Sequence, residues 1–132
     1  MEYKRYITRK RAKFDGISGP VNIPYGTALE NEGGFLMWKG GRVCLPTSQN
    51  ALDHFCQDDD GQGQQRGDLI SRILSKLGKR GGDQDARWKK VWGDPLTQKY
   101  RRVEHEDFWI WNHDFYAAPI EDLRQIAALI GA

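Results

Sequence analysis

From Gly16 to Pro46 the chain is broken so often by glycine and proline that no helix of ordinary length fits. The breaks fall at Gly16, Gly19, Pro20, Pro24, Gly26, Gly33, Gly34, Gly40, Gly41 and Pro46. Proline lacks the amide hydrogen a helix interior needs, and glycine favours turns, so short strands are what remains. Val21-Asn22-Ile23, Thr27-Ala28-Leu29, Phe35-Leu36-Met37-Trp38 and Arg42-Val43-Cys44-Leu45 have the β-branched and aromatic content of strands. Tyr3 to Thr8 alternates rings with charge and predicts another. Gly40-Gly41 reads as a two-residue hairpin turn, because both positions accept positive φ. Closely spaced short strands predict a small, strongly bent antiparallel sheet, with an SH3-like barrel as the nearest architecture.

After Pro46 the pattern changes. Thr47 or Ser48 is placed to cap a short helix bearing Ala51, Leu52 and Phe55, and residues 57–63 read as a loop. Asp68 is placed to cap an amphipathic helix with Leu69, Ile70, Ile73, Leu74 and Leu77 on one face and Gly78 past its end. Lys79-Arg80-Gly81-Gly82 reads as a joint, followed by a helix opened by Asp83 or Asp85 in which Trp88, Val91 and Trp92 share a face. Phe108, Trp111 and Phe115 fall at helical spacing behind Glu104, Glu106 and Asp107, which predicts a helix there. Pro119 suits the start of a terminal helix lined by Ile120, Leu123, Ile126, Ala127 and Ile130. The expected fold is α+β, one domain over 1–132, mostly β in 1–46 and mostly α in 47–132, with the C-terminal helices packed on the N-terminal sheet.

The chain has 132 residues, 39% hydrophobic and 29% charged, a globular composition of single-domain size. Two cysteines without a CxxC pair, and no apolar leader or membrane-length run, point to reduced thiols and the cytoplasm, with no membrane partner. The net charge of +2 hides blocks. Residues 1–13 carry six Lys/Arg and one Glu, 14–65 two basic and seven acidic residues, 66–102 eleven basic and four acidic, and 103–122 six acidic and none basic. Such blocks either neutralise one another inside the fold or converge on a face that attracts a polyanion. The second outcome would use Lys4, Arg5, Arg9, Lys10, Arg11 and Lys13 with Tyr3 and Tyr6, Arg87, Lys89 and Lys90 beside Trp88 and Trp92, and Lys99, Arg101 and Arg102 beside Tyr100, since cations take phosphates and rings stack on bases.

Other constellations are weaker. Asp58-Asp59-Asp60-Gly61-Gln62-Gly63 suggests a calcium loop, but Leu69 stands where the bidentate glutamate belongs, so a solvated turn is expected. Cys44, His54 and Cys56 lack a fourth zinc ligand in a recognisable pair. Arg66-Gly67-Asp68 spells an adhesion tripeptide, with Asp68 explained by capping. His105, His113, Asp107 and Asp114 are the acid–base candidates, although the eight aromatic residues of the last 45 are better spent on a core. No metal and no cofactor are expected.

Tyr3-Lys4-Arg5-Tyr6-Ile7-Thr8-Arg9, the segment from Gly19 to Thr27, Gly34-Phe35-Leu36, Asp58-Asp59-Asp60-Gly61 and the Trp88/Trp92 pair resemble small prophage and mobile-element proteins of Gram-positive bacteria. The resemblance implies a shared fold, a bacterial cytoplasm before phage assembly or release, and an accessory role; it transfers no site residue. The function expected is therefore a non-enzymatic accessory binding module of prophage type. It would contact a protein or nucleic acid through Lys4, Arg5, Arg9, Lys10, Arg11, Arg87, Lys89 and Lys90. The alternative is a small hydrolase or nuclease using a His/Asp pair in 104–114.

Overall fold

The computed structural model describes residues 4–78, 80–82, 89–91, 93–105 and 108–132. The protein is α+β, and the chain divides into two compact units, Met1–Gly67 and Asp68–Ala132.

In the first unit the strands are β1 (Arg5–Thr8), β2 (Ala12–Gly16), β3 (Gly19–Ile23), β4 (Ala28–Glu32), β5 (Phe35–Trp38), β6 (Gly41–Cys44) and β7 (Phe55–Gln57), with helix α1 (Gln49–His54) before β7. Five of them form an antiparallel sheet in the order β6-β5-β4-β1-β7, while β2 and β3 pair only with each other. Period-two alternation sends Tyr6, Leu29, Leu36 and Val43 inward, where they meet Ala12, Ile23, Ala51 and Phe55 in one core. The tip of the β2–β3 hairpin is bonded to β6. Ile17 and Ser18 donate their amides to the Val43 and Arg42 carbonyls, each at 3.0 Å, and Ser18 Oγ accepts from the Arg42 amide. The β5–β6 turn lies one residue earlier than the glycine pair predicts. Trp38 pairs with Gly41, so Lys39 (φ 50°) and Gly40 (φ 77°) take the positive angles, and the Lys39 ammonium rests 4.6 Å from the Trp38 ring centre.

Ser48 caps α1 as expected, its hydroxyl accepting from the Ala51 amide. Helix α2 (Gly63–Leu77) begins five residues before Asp68, which corrects both the loop boundary and the cap. The Asp58 carboxylate, not that of Asp68, receives the Gly63 amide at 2.7 Å, and Asp60 receives that of Gln62 at 3.0 Å. An early start is sterically open because Gly63 and Gly67, one turn apart, have no side chains. A Cβ on Gly63 would stand 2.6 Å from Ile7 Cγ2, and one on Gly67 2.8 Å from Arg9 Cβ.

The second unit holds the rest of α2, strands β8 (Arg80–Gly82), β9 (Arg101–His105) and β10 (Phe108–Trp111), and helix α3 (Ile120–Ile130), with short 3₁₀ turns at Pro95–Tyr100 and His113–Ala117. The three strands form an antiparallel sheet in the order β8-β10-β9. Two expectations are corrected here. Residues 80–82 are a strand rather than a joint, and the predicted helix over the aromatic run is a strand pair, so 47–132 carries more β than its composition promised. Trp109 and Trp111 lie two apart on one buried face, the period of a strand. Phe115 reaches Trp111 by way of the 3₁₀ turn, its ring stacked at 4.1 Å and 18°, so the helical spacing of the two residues was coincidental. Trp109 meets Trp111 edge-on at 4.9 Å, and Tyr116 meets Phe115 likewise at 5.2 Å. Asn112 caps the turn through Oδ1 and donates Nδ2 to the Lys99 carbonyl. The terminal helix follows Pro119 and ends at left-handed Gly131, as the sequence predicts. The predicted helix opened by Asp83 or Asp85 lies mostly outside the described residues.

Candidate nucleic-acid interface

The N-terminal cations separate into two groups once folded. Arg9 is buried: its Nη2 donates to the Leu52 and Asp53 carbonyls at 3.1 and 2.5 Å, closing the C-terminal end of α1. Arg5 contacts Asp58 at 3.4 Å and donates to the Asp58 carbonyl. Lys4 is exposed, and its backbone amide is held by Asp59. Arg66, outside the predicted set, is 1% exposed and donates to the Gln57 carbonyl at 2.7 Å while gripping both oxygens of Asp60, at 3.2 and 2.6 Å. Its burial leaves the adhesion reading of Arg66-Gly67-Asp68 with no accessible arginine.

The acidic loop is an exposed turn, as expected, whose carboxylates are nonetheless engaged. Asp58, Asp59 and Asp60 are engaged by Arg5, Gly63, the Lys4 and Arg5 amides, and Arg66. The Arg66 hydrogen bonds hold the Asp60 carboxyl below the usual carboxylate range, against a smaller opposing effect of burial. A calcium ion would have to displace these donors. Among the described residues no group of three or more His, Cys, Asp or Glu is placed to hold a metal.

Lys10, Arg11 and Lys13 form the second group. All three are exposed on the stretch that runs from the end of β1 into β2. Arg11 bonds the neutral amide oxygen of Asn22 at 2.8 Å, which fixes the guanidinium without cancelling its charge. Lys13 stands opposite Asn22 in the β2–β3 register. Beside them a shallow groove of about 380 Å³ is lined by Lys13, Phe14, Asp15, Pro20, Val21 and Asn22. Phe14 packs against the His54 ring at 5.0 Å, and His54 Nδ1 lies 2.8 Å from the Asn50 carbonyl. Burial pushes the His54 pKa down; the Asn50 carbonyl opposes this, and the Lys10 and Arg9 charges add to it.

Tyr25 was not among the residues that sequence pattern singled out for the site, yet 51% of it is exposed. Its signal in the sequence was a ring set between Pro24 and Gly26, where no strand is available to bury it. Lys39 and Arg42 are further exposed cations of this unit, resting on Trp38 and Phe35.

Lys89 and Lys90 are exposed in a helical turn of the second unit, while Arg87, Trp88 and Trp92 lie outside the described residues. Of the acid–base candidates, Asp107 also lies outside them, and His105 ends β9, where only the backbone is described. His113 is half-buried and opens the 3₁₀ turn with exposed Asp114 next to it; burial lowers its pKa and Asp114 opposes the shift. Their neighbours Trp109, Trp111, Phe115 and Tyr116 are core residues. Both cysteines are buried free thiols, and burial raises the pKa of Cys44. Among the described residues no helix is long and apolar enough to cross a membrane. Comparison of the chain with family models, curated proteins and solved structures returns no match.

Proposed function

We propose that the protein is a non-enzymatic binding module that contacts nucleic acid through the basic edge of its first unit, with Lys10, Arg11 and Lys13 on phosphates. The observation that carries this reading is the division of labour among the cations. Arg5, Arg9 and Arg66 are consumed by the fold, whereas Lys10, Arg11 and Lys13 are exposed in sequence-adjacent positions, with Arg11 oriented by a neutral amide. A guanidinium and two ammonium groups on one edge are what a polyanion recognises. The hairpin tip bonded to β6 supports an SH3-like barrel for this unit, and the likeness to prophage proteins supports an accessory role in a bacterial cytoplasm.

The test is anisotropy of a labelled mixed-sequence oligonucleotide as salt is raised. Three phosphate contacts give a log–log slope of magnitude about 2–3, so affinity falls roughly 15- to 60-fold between 50 and 200 mM salt. Lys10→Ala with Arg11→Ala is expected to remove about 1–2 from that slope. Absent or salt-independent binding would discard the reading.

A further inference from the structure

The β2–β3 hairpin is a ribbon with two unlike faces. Its register sets Ala12 against Ile23 and Phe14 against Val21, and these four residues pack on the core. Alternation sends Lys13 and Asp15 of β2, with Asn22 and Pro20 opposite them, to the other face, where all four are exposed. The tip is bonded to β6 through Ile17 and Ser18, and Gly16 permits the close approach: a Cβ there would stand 2.9 Å from the Val43 carbonyl oxygen. The outward face is therefore backed by the core and pinned at its end.

Two residues on this face are not cations. Asn22 accepts the Arg11 guanidinium through Oδ1 at 2.8 Å, which leaves its Nδ2 as a donor. Asp15 lies on the next outward pair and lines the same shallow groove of about 380 Å³, with Lys13, Asn22 and the apolar Phe14, Pro20 and Val21. Among the described residues no side chain bonds the Asp15 carboxylate. A bare carboxylate beside Arg11 and Lys13 works against phosphate attraction, so it adds nothing to a purely electrostatic surface. Asp15 and Asn22 are diagonal neighbours, roughly 7–8 Å apart at the backbone, a span that a flat ring of nucleobase size bridges.

We propose that this groove is a guanine pocket: Asp15 takes the N1–H and N2–H of the base, Asn22 Nδ2 donates to O6, and the cations hold the flanking phosphates. This rests on the nucleic-acid reading above and narrows it to single strands, whose base edges are open. Guanine alone among the four bases presents two adjacent N–H donors and a neighbouring carbonyl on one edge, the complement of a carboxylate beside an amide donor.

The experiment is anisotropy, at fixed salt, of labelled thymine strands carrying one central guanine, hypoxanthine, adenine or cytosine, or none, for the parent protein, Asp15→Asn and the Lys10→Ala/Arg11→Ala pair. A bidentate contact predicts that the parent binds the guanine strand roughly 5- to 150-fold tighter than the all-thymine strand. Hypoxanthine, which lacks the N2 amine, is expected to lose most of that gain. Asp15→Asn is expected to lose the preference yet bind the thymine strand at least as tightly as the parent, because it removes a negative charge; a folding defect would weaken both. Equal affinity for all strands, a preference for another base, or Asp15→Asn weakening guanine and thymine strands alike would overturn the guanine pocket. The phosphate contacts would then still stand on the weakening caused by the Lys10→Ala/Arg11→Ala pair. No binding of any strand by the parent would remove the underlying reading itself.

Discussion

Removing the carboxylate beside Arg66 is expected to harm the fold more than removing Arg66 itself. Asp60→Ala takes the carboxylate from a buried guanidinium that also donates to the Gln57 carbonyl, a change that costs about 3–5 kcal/mol when a buried charge loses its counter-ion. Arg66→Met removes the charge and keeps much of the volume, and Asp60 reaches solvent on its own, so its cost is expected to be clearly smaller; urea unfolding of the two variants decides. The same residues set the acid limit. The Asp60 pKa is depressed when folded, so its contribution is complete above the unfolded value of about 3.9 and is lost as pH falls through the depressed one. His54 and His113 are also depressed, chiefly by burial, so their contribution is complete above about 6.5 and is lost as pH falls through the lowered values. Stability is thus expected to fall on acidification in two stages, the histidine stage first. His54→Gln should shrink that first stage and Asp60→Ala the second, measured as unfolding free energy against pH.

At the scale of elements, Gly63 and Gly67 let α2 lie directly on its neighbours. Alanine at an exposed helix position gains about 1 kcal/mol over glycine, but at Gly67 its methyl would meet Arg9 Cβ at 2.8 Å and Cys56 Sγ at 3.4 Å. Overpacking wins, and Gly67→Ala is expected to destabilise by about 1–3 kcal/mol, seen as a lowered melting temperature. These glycines also explain why the helix start was misplaced. Pattern reading treats Asp-Asp-Asp-Gly-Gln-Gly as a loop and Asp68 as a cap, because a local window cannot see that Arg66 and the Gly63 amide are waiting for the carboxylates. Strands β1, β3, β4, β5 and β6 were legible because glycine and proline mark their ends within a few residues, whereas β2 and β7 were not read as strands. The β9–β10 pair was not: Trp109 and Trp111 do alternate, but the neighbouring rings of Phe108 and Phe115 produce a competing helical spacing that only the actual pairing of Trp109 with Val103 resolves.

For the molecule as a whole, the charge blocks of the sequence yielded to neither reading alone. Asp58 and Asp60 pair with Arg5 and Arg66 and Arg9 is held by main-chain carbonyls, while Lys10, Arg11 and Lys13 stand exposed. The exposed remainder was partly legible, since Lys10 and Arg11 stood in the basic run. Global opening of the first unit can be followed through its thiols. Cys44 and Cys56 are both buried, so a chromogenic disulfide reagent is expected to find no fast-reacting thiol in the native protein and two after denaturation. One fast thiol under native conditions would show local opening near that cysteine.

The hairpin tip on β6 has a consequence for behaviour in concentrated solution. Strands at a sheet border recruit copies of themselves when their peptide groups are left open, and here Ile17 and Ser18 already occupy the Arg42 and Val43 carbonyls. Replacing Ser18 with proline deletes one donor and the hydroxyl that accepts from Arg42, uncovering that border for a second molecule to zip onto. A chain otherwise well folded would then turn fibrillar on standing.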